Sequence, residues 1–199
     1  KYRGEPSELL IGDGNIIREC VTLQPGTAGG GMVTRIGDGN LFMANTHVGH
    51  DSIVGDRCVL ANSAALAGHV TIGNGVIVGG LSGIHQFVRI GDIAMIGAGA
   101  MVAQDIPPFC MAQGDRATVQ GLNRIGLERN GCSKEEFAVL RETYRLVFVS
   151  SSPEVKGKVF KDRVSFARSL AGQSPRAAAF LDFLQSSERG VAAHHSQAE

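Results

Sequence analysis

The sequence predicts a parallel β-solenoid of hexapeptide repeats closed by a helical subdomain. Three observations carry that prediction: a strict six-residue apolar period, a glycine-rich but aromatic-poor composition, and a switch to helical spacing after residue 108. From Ile36 every sixth residue is large and apolar: Ile36, Phe42, Val48, Val54, Leu60, Leu66, Ile72, Val78, Ile84, Ile90, Ile96 and Val102. Gly or Ala follows ten of these twelve. An amphipathic helix repeats at 3.6 and a half-buried strand at 2, so neither fits. A parallel β-helix does, with each hexapeptide forming a short strand and a corner. The large residue points inward, and the small one follows where a Cβ would crowd the corner. Three hexapeptides close a triangular coil, and coils stack at about 4.8 Å.

The elements follow in order. Ile11-Gly12, Ile17 and Leu23 keep the period in a shifted register, so residues 24–35 (QPGTAGGGMVTR) read as a loop inserted between registers. The solenoid is expected over 1–107 and stops at Asp105-Ile106-Pro107-Pro108. A helical subdomain is expected over 108–199, since a solenoid end needs a cap. Ser133 with Glu136 reads as a capping box, and Phe137, Leu140, Tyr144 and Val147 follow it at helical spacing. Further helices are expected over 159–170 and 175–187, the latter opening Ser174-Pro175. Residues 190–199 read as a frayed tail in which His194 and His195 are solvated. The chain opens at Lys1 inside a motif, which leads us to expect a preceding N-terminal part.

Composition narrows the function. Basic and acidic residues number 19 each, a balance that argues against a nucleic-acid partner. Residues 58–88 carry no Asp, Glu, Lys or Arg, yet Asn62, His69, Asn74, His85, Gln86 and many glycines interrupt them, so stable membrane insertion is not expected. The four cysteines are widely spaced without a CxxC, which reads as free thiols in a reducing cytoplasm.

Histidine placement supplies the chemistry. With coils starting at 36, 54 and 72, the third hexapeptides of successive coils begin at Val48, Leu66 and Ile84 and share one edge. His50, Gly68 and Gln86 then form a column, with His47, His69 and His85 beside it. A single corner histidine ordinarily serves as a surface hydrogen bonder, but four on one edge call for more. Two readings stay open here. Three imidazoles from adjacent coils or subunits fit an open zinc site. Alternatively, one imidazole acts as general base with a carboxylate orienting it, and Asp51 follows His50 directly. Gly49 and Gly68 would admit a substrate close to the backbone, and the Gly68 N–H is a candidate oxyanion donor.

KYRGEP, GNIIRECVT, NTHVGHD, LANSAALAGHV, IHQF, AQDIPPF and GLNRIGLERNG occur in this order along nearly the whole chain. In these segments the sequence resembles the acyl-[acyl-carrier-protein]–UDP-N-acetylglucosamine O-acyltransferases of lipid A biosynthesis. Relative to that family, several N-terminal coils are expected to be missing. The resemblance implies a left-handed β-helix, a homotrimer and a cytoplasmic enzyme that needs no cofactor and no metal. It implies transfer of an (R)-3-hydroxyacyl group from acyl carrier protein to the glucosamine 3-OH of UDP-N-acetylglucosamine by direct attack on the thioester. His50 matches the base, Asp51 its carboxylate partner, and Gly68 the oxyanion donor. His47, His69, His85 and Gln86 match sugar and pantetheine-side contacts, Lys1 a basic contact, and Asn123 and Arg129 nucleotide contacts. Ile125 and Asn130 stand where some members carry a carboxylate and a second Arg. Ala98 occupies the slot that limits acyl-chain length. Arg89, Arg116, Arg124 and Arg129 are candidate contacts for the acidic carrier protein. The alternatives are the N-acyltransferase of the same pathway, an acceptor with a 3-amino group, and a zinc hydratase of the hexapeptide class.

Overall fold

The computed structural model describes residues 4–149, 153–172 and 174–195. Its first part is a parallel β-solenoid whose strands stack in three columns. The first face carries Glu8–Ile11, Val33–Ile36, Ile53–Val54, Thr71–Ile72 and Arg89–Ile90. The second face carries Ile16–Ile17, Leu41–Phe42, Val59–Leu60, Ile77–Val78 and Met95–Ile96. The third carries Thr22–Leu23, His47–Val48, Ala65–Leu66, Gly83–Ile84 and Met101–Val102. From residue 33 the partners lie 18 apart, as in Ile53↔Thr71 and His47↔Ala65. Between the first two coils the offset is 25, as in Thr22↔His47, so the inserted loop adds seven residues to one coil.

All twelve predicted inward residues are buried. A second inward position occurs four residues after each of them. Thr46, Ser52, Cys58, Val70, Val76, Ser82, Val88 and Ile106 occupy it and are also buried. Two of the polar members are satisfied locally: Thr46 Oγ1 donates to the Met43 carbonyl at 2.5 Å and Ser82 Oγ to the Gly97 carbonyl at 2.9 Å. This position takes smaller side chains and tolerates a hydroxyl that finds a corner carbonyl. Among the described residues eleven non-glycine positions have positive φ, most of them at corners, including Asp51 (59°), His69 (62°) and Phe87 (65°).

The subdomain expected to be helical from 108 begins instead with strands. Cys110–Gln113 extends the second face in parallel, and Thr118–Leu122 returns antiparallel to it. Apolar Cys110, Ala112 and Val119 continue the core after the hexapeptide period has lapsed. Four helices follow among the described residues: α1 (Arg124–Arg129), α2 (Lys134–Phe148), α3 (Phe160–Leu170) and α4 (Pro175–Gln185). Ser133 and Ser174 cap α2 and α4 by accepting from Glu136 N and Ala177 N. The capping box is one-sided, because the Glu136 carboxylate pairs with Arg176 of α4. Tyr144, Phe148 and Phe180 pack in the helical core.

Residues 190–195 are not frayed. They dock on the solenoid end through Asp105 N to Gly190 O, Ala192 N to Asp105 O and Val119 N to Ala193 O. His194 is accordingly not solvated. It is half-buried, with Nδ1 2.9 Å from the Tyr144 hydroxyl.

Candidate active site

The corner from the third face to the first holds the histidine column. Backbone bonds from His69 N to His50 O and from Phe87 N to Gly68 O set its stacking. His50 Nδ1 lies 2.8 Å from Asp51 Oδ2. The positive φ of Asp51 turns its side chain back beneath its neighbour, where it is fully covered. The inserted loop supplies the rest of the support. Thr27 N donates to Asp51 Oδ1 at 2.8 Å and Thr27 Oγ1 to Oδ2 at 2.6 Å. Asp51 N donates to the buried Thr34 Oγ1 at 2.7 Å. Gly30 packs so close to the Asp51 carboxylate that no side chain fits there. Burial disfavours the charge on Asp51. The Thr27 hydroxyl and N–H, the His50 imidazole and His69 outweigh it and hold the carboxyl below the usual aspartate range.

A carboxylate can only accept, so the neutral imidazole of His50 carries its hydrogen on Nδ1 and a lone pair on Nε2. The half-exposed ring sits on Gly68, where a Cβ would lie 2.7–3.1 Å from three ring atoms. Gly49 is bare for a different reason, since a Cβ there would meet Gly68 N at 2.6 Å. Neither glycine is therefore vacant space for substrate: the imidazole and the next coil fill it. No group among the described residues accepts from the Gly68 N–H. His69 stacks on Phe87 at 4.5 Å and meets the His50 ring edge-on at 5.1 Å.

A cavity of about 560 Å³ is lined by His69, Phe87 and Arg189 among others, and two larger ones flank the column. One of about 800 Å³ runs along the third face and is lined by His47, Ala65, Gly83, His85, Met101 and Arg116, among others. The other, about 720 Å³, lies between the inserted loop and His50. His47 Nδ1 is hydrogen-bonded to the Thr22 hydroxyl at 2.7 Å, and His85 Nδ1 lies 2.8 Å from Arg189 Nη2. Gln86 is exposed at the same corner. His50, Asp51, Gly68, His47, His69, His85 and Gln86 thus come together along one edge.

The other predicted residues lie elsewhere. Asn123 is buried and committed: Oδ1 caps α1 at Gly126 N, and Nδ2 donates to the Ile93 carbonyl at 2.8 Å. That seats α1, with exposed Arg129, over the corner between first and second faces, away from the histidine edge of the same chain. Ala98 is exposed on the corner leading to the third face, outside the lining of the larger cavity. Lys1 lies outside the described residues. Of the four arginines, Arg89 is a tether, bonded to the Ser186 carbonyl and stacked over Phe183, and Arg124 pairs with Glu128. Thr27, Gly30, Thr34, Thr22, Phe87 and Arg189 escaped the sequence reading. For the loop residues there was one signal: the break in period falls beside the histidine edge.

The donor atoms of His50, Asp51 and His69 lie within 4.8 Å of one another, close enough to share a cation. Both Asp51 oxygens, however, already accept hydrogen bonds, which suits an orienting carboxylate. No helix among the described residues is long and apolar enough to cross a membrane.

Solenoid, corner histidines and capping helices together define a hexapeptide-repeat transferase, and the bacterial transferase hexapeptide model matches residues 34–68. A second model, described as UDP N-acetylglucosamine O-acyltransferase, domain 2, matches residues 105–192. An acyl-[acyl-carrier-protein]–UDP-N-acetylglucosamine O-acyltransferase of Anaeromyxobacter sp. (strain K) is 46% identical over 191 residues, 96% of this chain and 72% of that one. Its namesake from Aliarcobacter butzleri is 52% identical over 153 residues, 77% of this chain and 59% of the relative's length. The crystal structure of the UDP-N-acetylglucosamine O-acyltransferase of Moraxella catarrhalis RH4 superposes with a TM-score of 0.89 at 42% identity, covering 96% of this chain and 72% of that one. The chain belongs to the acyl-[acyl-carrier-protein]–UDP-N-acetylglucosamine O-acyltransferase family, and spans between three-fifths and three-quarters of these relatives.

Proposed function

We propose that this chain transfers an (R)-3-hydroxyacyl group from acyl carrier protein to the glucosamine 3-OH of UDP-N-acetylglucosamine. The observation that carries the reading is the His50 Nδ1–Asp51 contact of 2.8 Å, which leaves Nε2 open as a proton acceptor. A sugar hydroxyl is a poor nucleophile at neutral pH, and a positioned imidazole takes its proton as the oxygen attacks the thioester carbonyl. The Gly68 N–H donates to the developing oxyanion. The carbon–sulfur bond then breaks, and His50 returns the proton to the departing thiolate. Asp51 keeps the imidazole in the required tautomer and compensates its transient charge. His47, His69, His85 and Gln86 bind sugar and pantetheine, and the apolar third-face cavity receives the acyl chain. No metal or cofactor enters these steps.

Arg129 and Asn123 serve the nucleotide in this reading, Asn123 by seating α1. Because α1 and His50 lie on different edges of one prism, a homotrimer that brings one chain's α1 edge to another's histidine edge completes the site. In this reading the setting is cytoplasmic. The test is an acyl-transfer assay with a panel of acyl carrier protein thioesters and two acceptors, the common sugar nucleotide and its 3-amino variant. Transfer to neither acceptor overturns the reading.

The three-donor cluster at His50 favours one second reading, a metal hydratase. Activity abolished by EDTA and restored by zinc would establish it in place of the base mechanism.

A further inference from the structure

The imidazoles on the catalytic edge have chemically different partners on Nδ1. His50 faces a carboxylate, which only accepts. His85 faces the guanidinium of Arg189, which only donates, at 2.8 Å. We propose that Arg189 is a positioning residue that fixes His85 as the tautomer protonated on Nε2, a hydrogen-bond donor aimed at a substrate oxygen. The proposal rests on the acyl-transfer reading and adds a division of labour: His50 removes a proton and His85 donates a hydrogen bond.

The competing tautomer has a partner too. The Gln86 carbonyl lies 3.2 Å from His85 Nδ1 and would accept a hydrogen from it. The contact with Arg189 is shorter and charge-assisted, so it prevails. With Nδ1 accepting, the ring's hydrogen sits on Nε2. His85 lines the 800 Å³ cavity with apolar Ala65, Gly83 and Met101, where a donor of fixed tautomer adds orientation beside polar Gln104, Arg116 and Thr118.

Arg189 is placed by more than this one contact. Its Nε donates to the Ala103 carbonyl at 2.7 Å, which fixes the plane of the guanidinium. On either side the chain is pinned to Asp105, a fully buried carboxylate. Ser187 Oγ donates to Asp105 Oδ2 at 2.8 Å, and Asp105 N donates to the Gly190 carbonyl at 2.9 Å. Asp105 Oδ1 also accepts from Arg89 N at 2.8 Å. A segment 104 residues away in sequence is thereby held rigidly against the third face and presents one side chain to the active edge.

The test combines a spectroscopic and a kinetic arm on the full chain. Histidine ring nitrogens are observed by ¹⁵N NMR, with the His85 signals assigned by His85→Gln. The expected result is an unprotonated Nδ1 and a protonated Nε2 for His85, and the opposite for His50. Arg189→Ala should move His85 toward the Nδ1-protonated form that bonds Gln86, and should lower kcat/KM about threefold to tenfold, the net worth of one hydrogen bond at this exposed corner. Arg189→Gln, whose amide still donates, should keep the His85 pattern and most of the activity. A His85 tautomer unchanged in Arg189→Ala, or protonated on Nδ1 in the parent, overturns the proposal. The spectra require no turnover, so failure of the acyl-transfer reading would leave the tautomer result standing and is told apart from it.

Discussion

The imidazole of His50 lies flat on the α-carbon of Gly68, so close that a β-carbon there would be 2.7 Å from ring Cε1. One glycine in the following coil is therefore the floor under the imidazole proposed as base. Gly68→Ala should lift the ring off its seat without disturbing the inward residues. Kcat should fall on the order of 10²-fold, the cost of misplacing a reacting group by about 1 Å. Steady-state kinetics with a thermal melt would check this. Normal turnover in a folded variant would show that the ring's seat is unimportant.

His50→Ala should cost about 10²–10⁴-fold in turnover, the usual range for a general base. The residue sits at a corner, half-exposed, so the melting temperature should barely change. His69→Ala and Gln86→Ala should raise KM more than they lower kcat. Near-normal turnover in His50→Ala, with loss in His47→Ala or His69→Ala, would assign the base elsewhere.

Asp51 links the inserted loop to acid stability. Its carboxyl is held below the ordinary value when folded, so its stabilising contribution is present above about pH 4, the unfolded value, and is lost as pH falls through the folded one. Thr27→Val removes the hydroxyl bond and should move the acid unfolding midpoint upward. The parent and variant should differ least below that range. Identical acid titrations followed by circular dichroism would contradict the role given to Thr27.

Burial acts in the opposite direction at high pH. The Cys58 thiol is pushed up to about 11, and burial raises Cys110 and Tyr144 as well. Such groups stabilise the fold fully below their unfolded values and lose that contribution as pH rises through the folded ones. For Cys58 the two units amount to roughly 3 kcal/mol. Cys58→Val copies Val76, the equivalent position one coil on, and should flatten the decline in stability between pH 9 and 11. Urea melts across that interval would measure it.

The separation of α1 from the histidine edge predicts complementation between defective chains. His50→Ala and Arg129→Ala should each be poorly active alone. Co-expressed, random mixing should leave about one quarter of intersubunit sites with both residues intact. Activity of the mixture no greater than the mean of the two separate variants would argue for a site within one chain.

The six-residue period made the solenoid legible because each large residue from Ile36 to Val102 fills the prism. The second inward position was hidden: Asn40, Thr46, Ser52 and Ser82 are polar, so no apolar period marks the position as buried. Cys110–Gln113 was hidden for a related reason, since Met111 and Ala112 pair through the backbone with Met95 and Ile96 after the repeat has lapsed. The histidine edge was readable because stacking converts a spacing of 18 into proximity. Thr27 and Arg189 were not, because they reach the site from 24 and 104 residues away along irregular chain that no period describes.

Seven extra residues in one coil change nothing in the register of the coils above, where pairs such as Ile53↔Thr71 keep their spacing. A stacked prism therefore lets a corner be elaborated independently, as a plug-in part. Transplanting residues 24–32 to the matching corner of another hexapeptide solenoid should carry the carboxylate cradle with it. Specificity in such folds can then diverge corner by corner, while the interior remains the common inheritance.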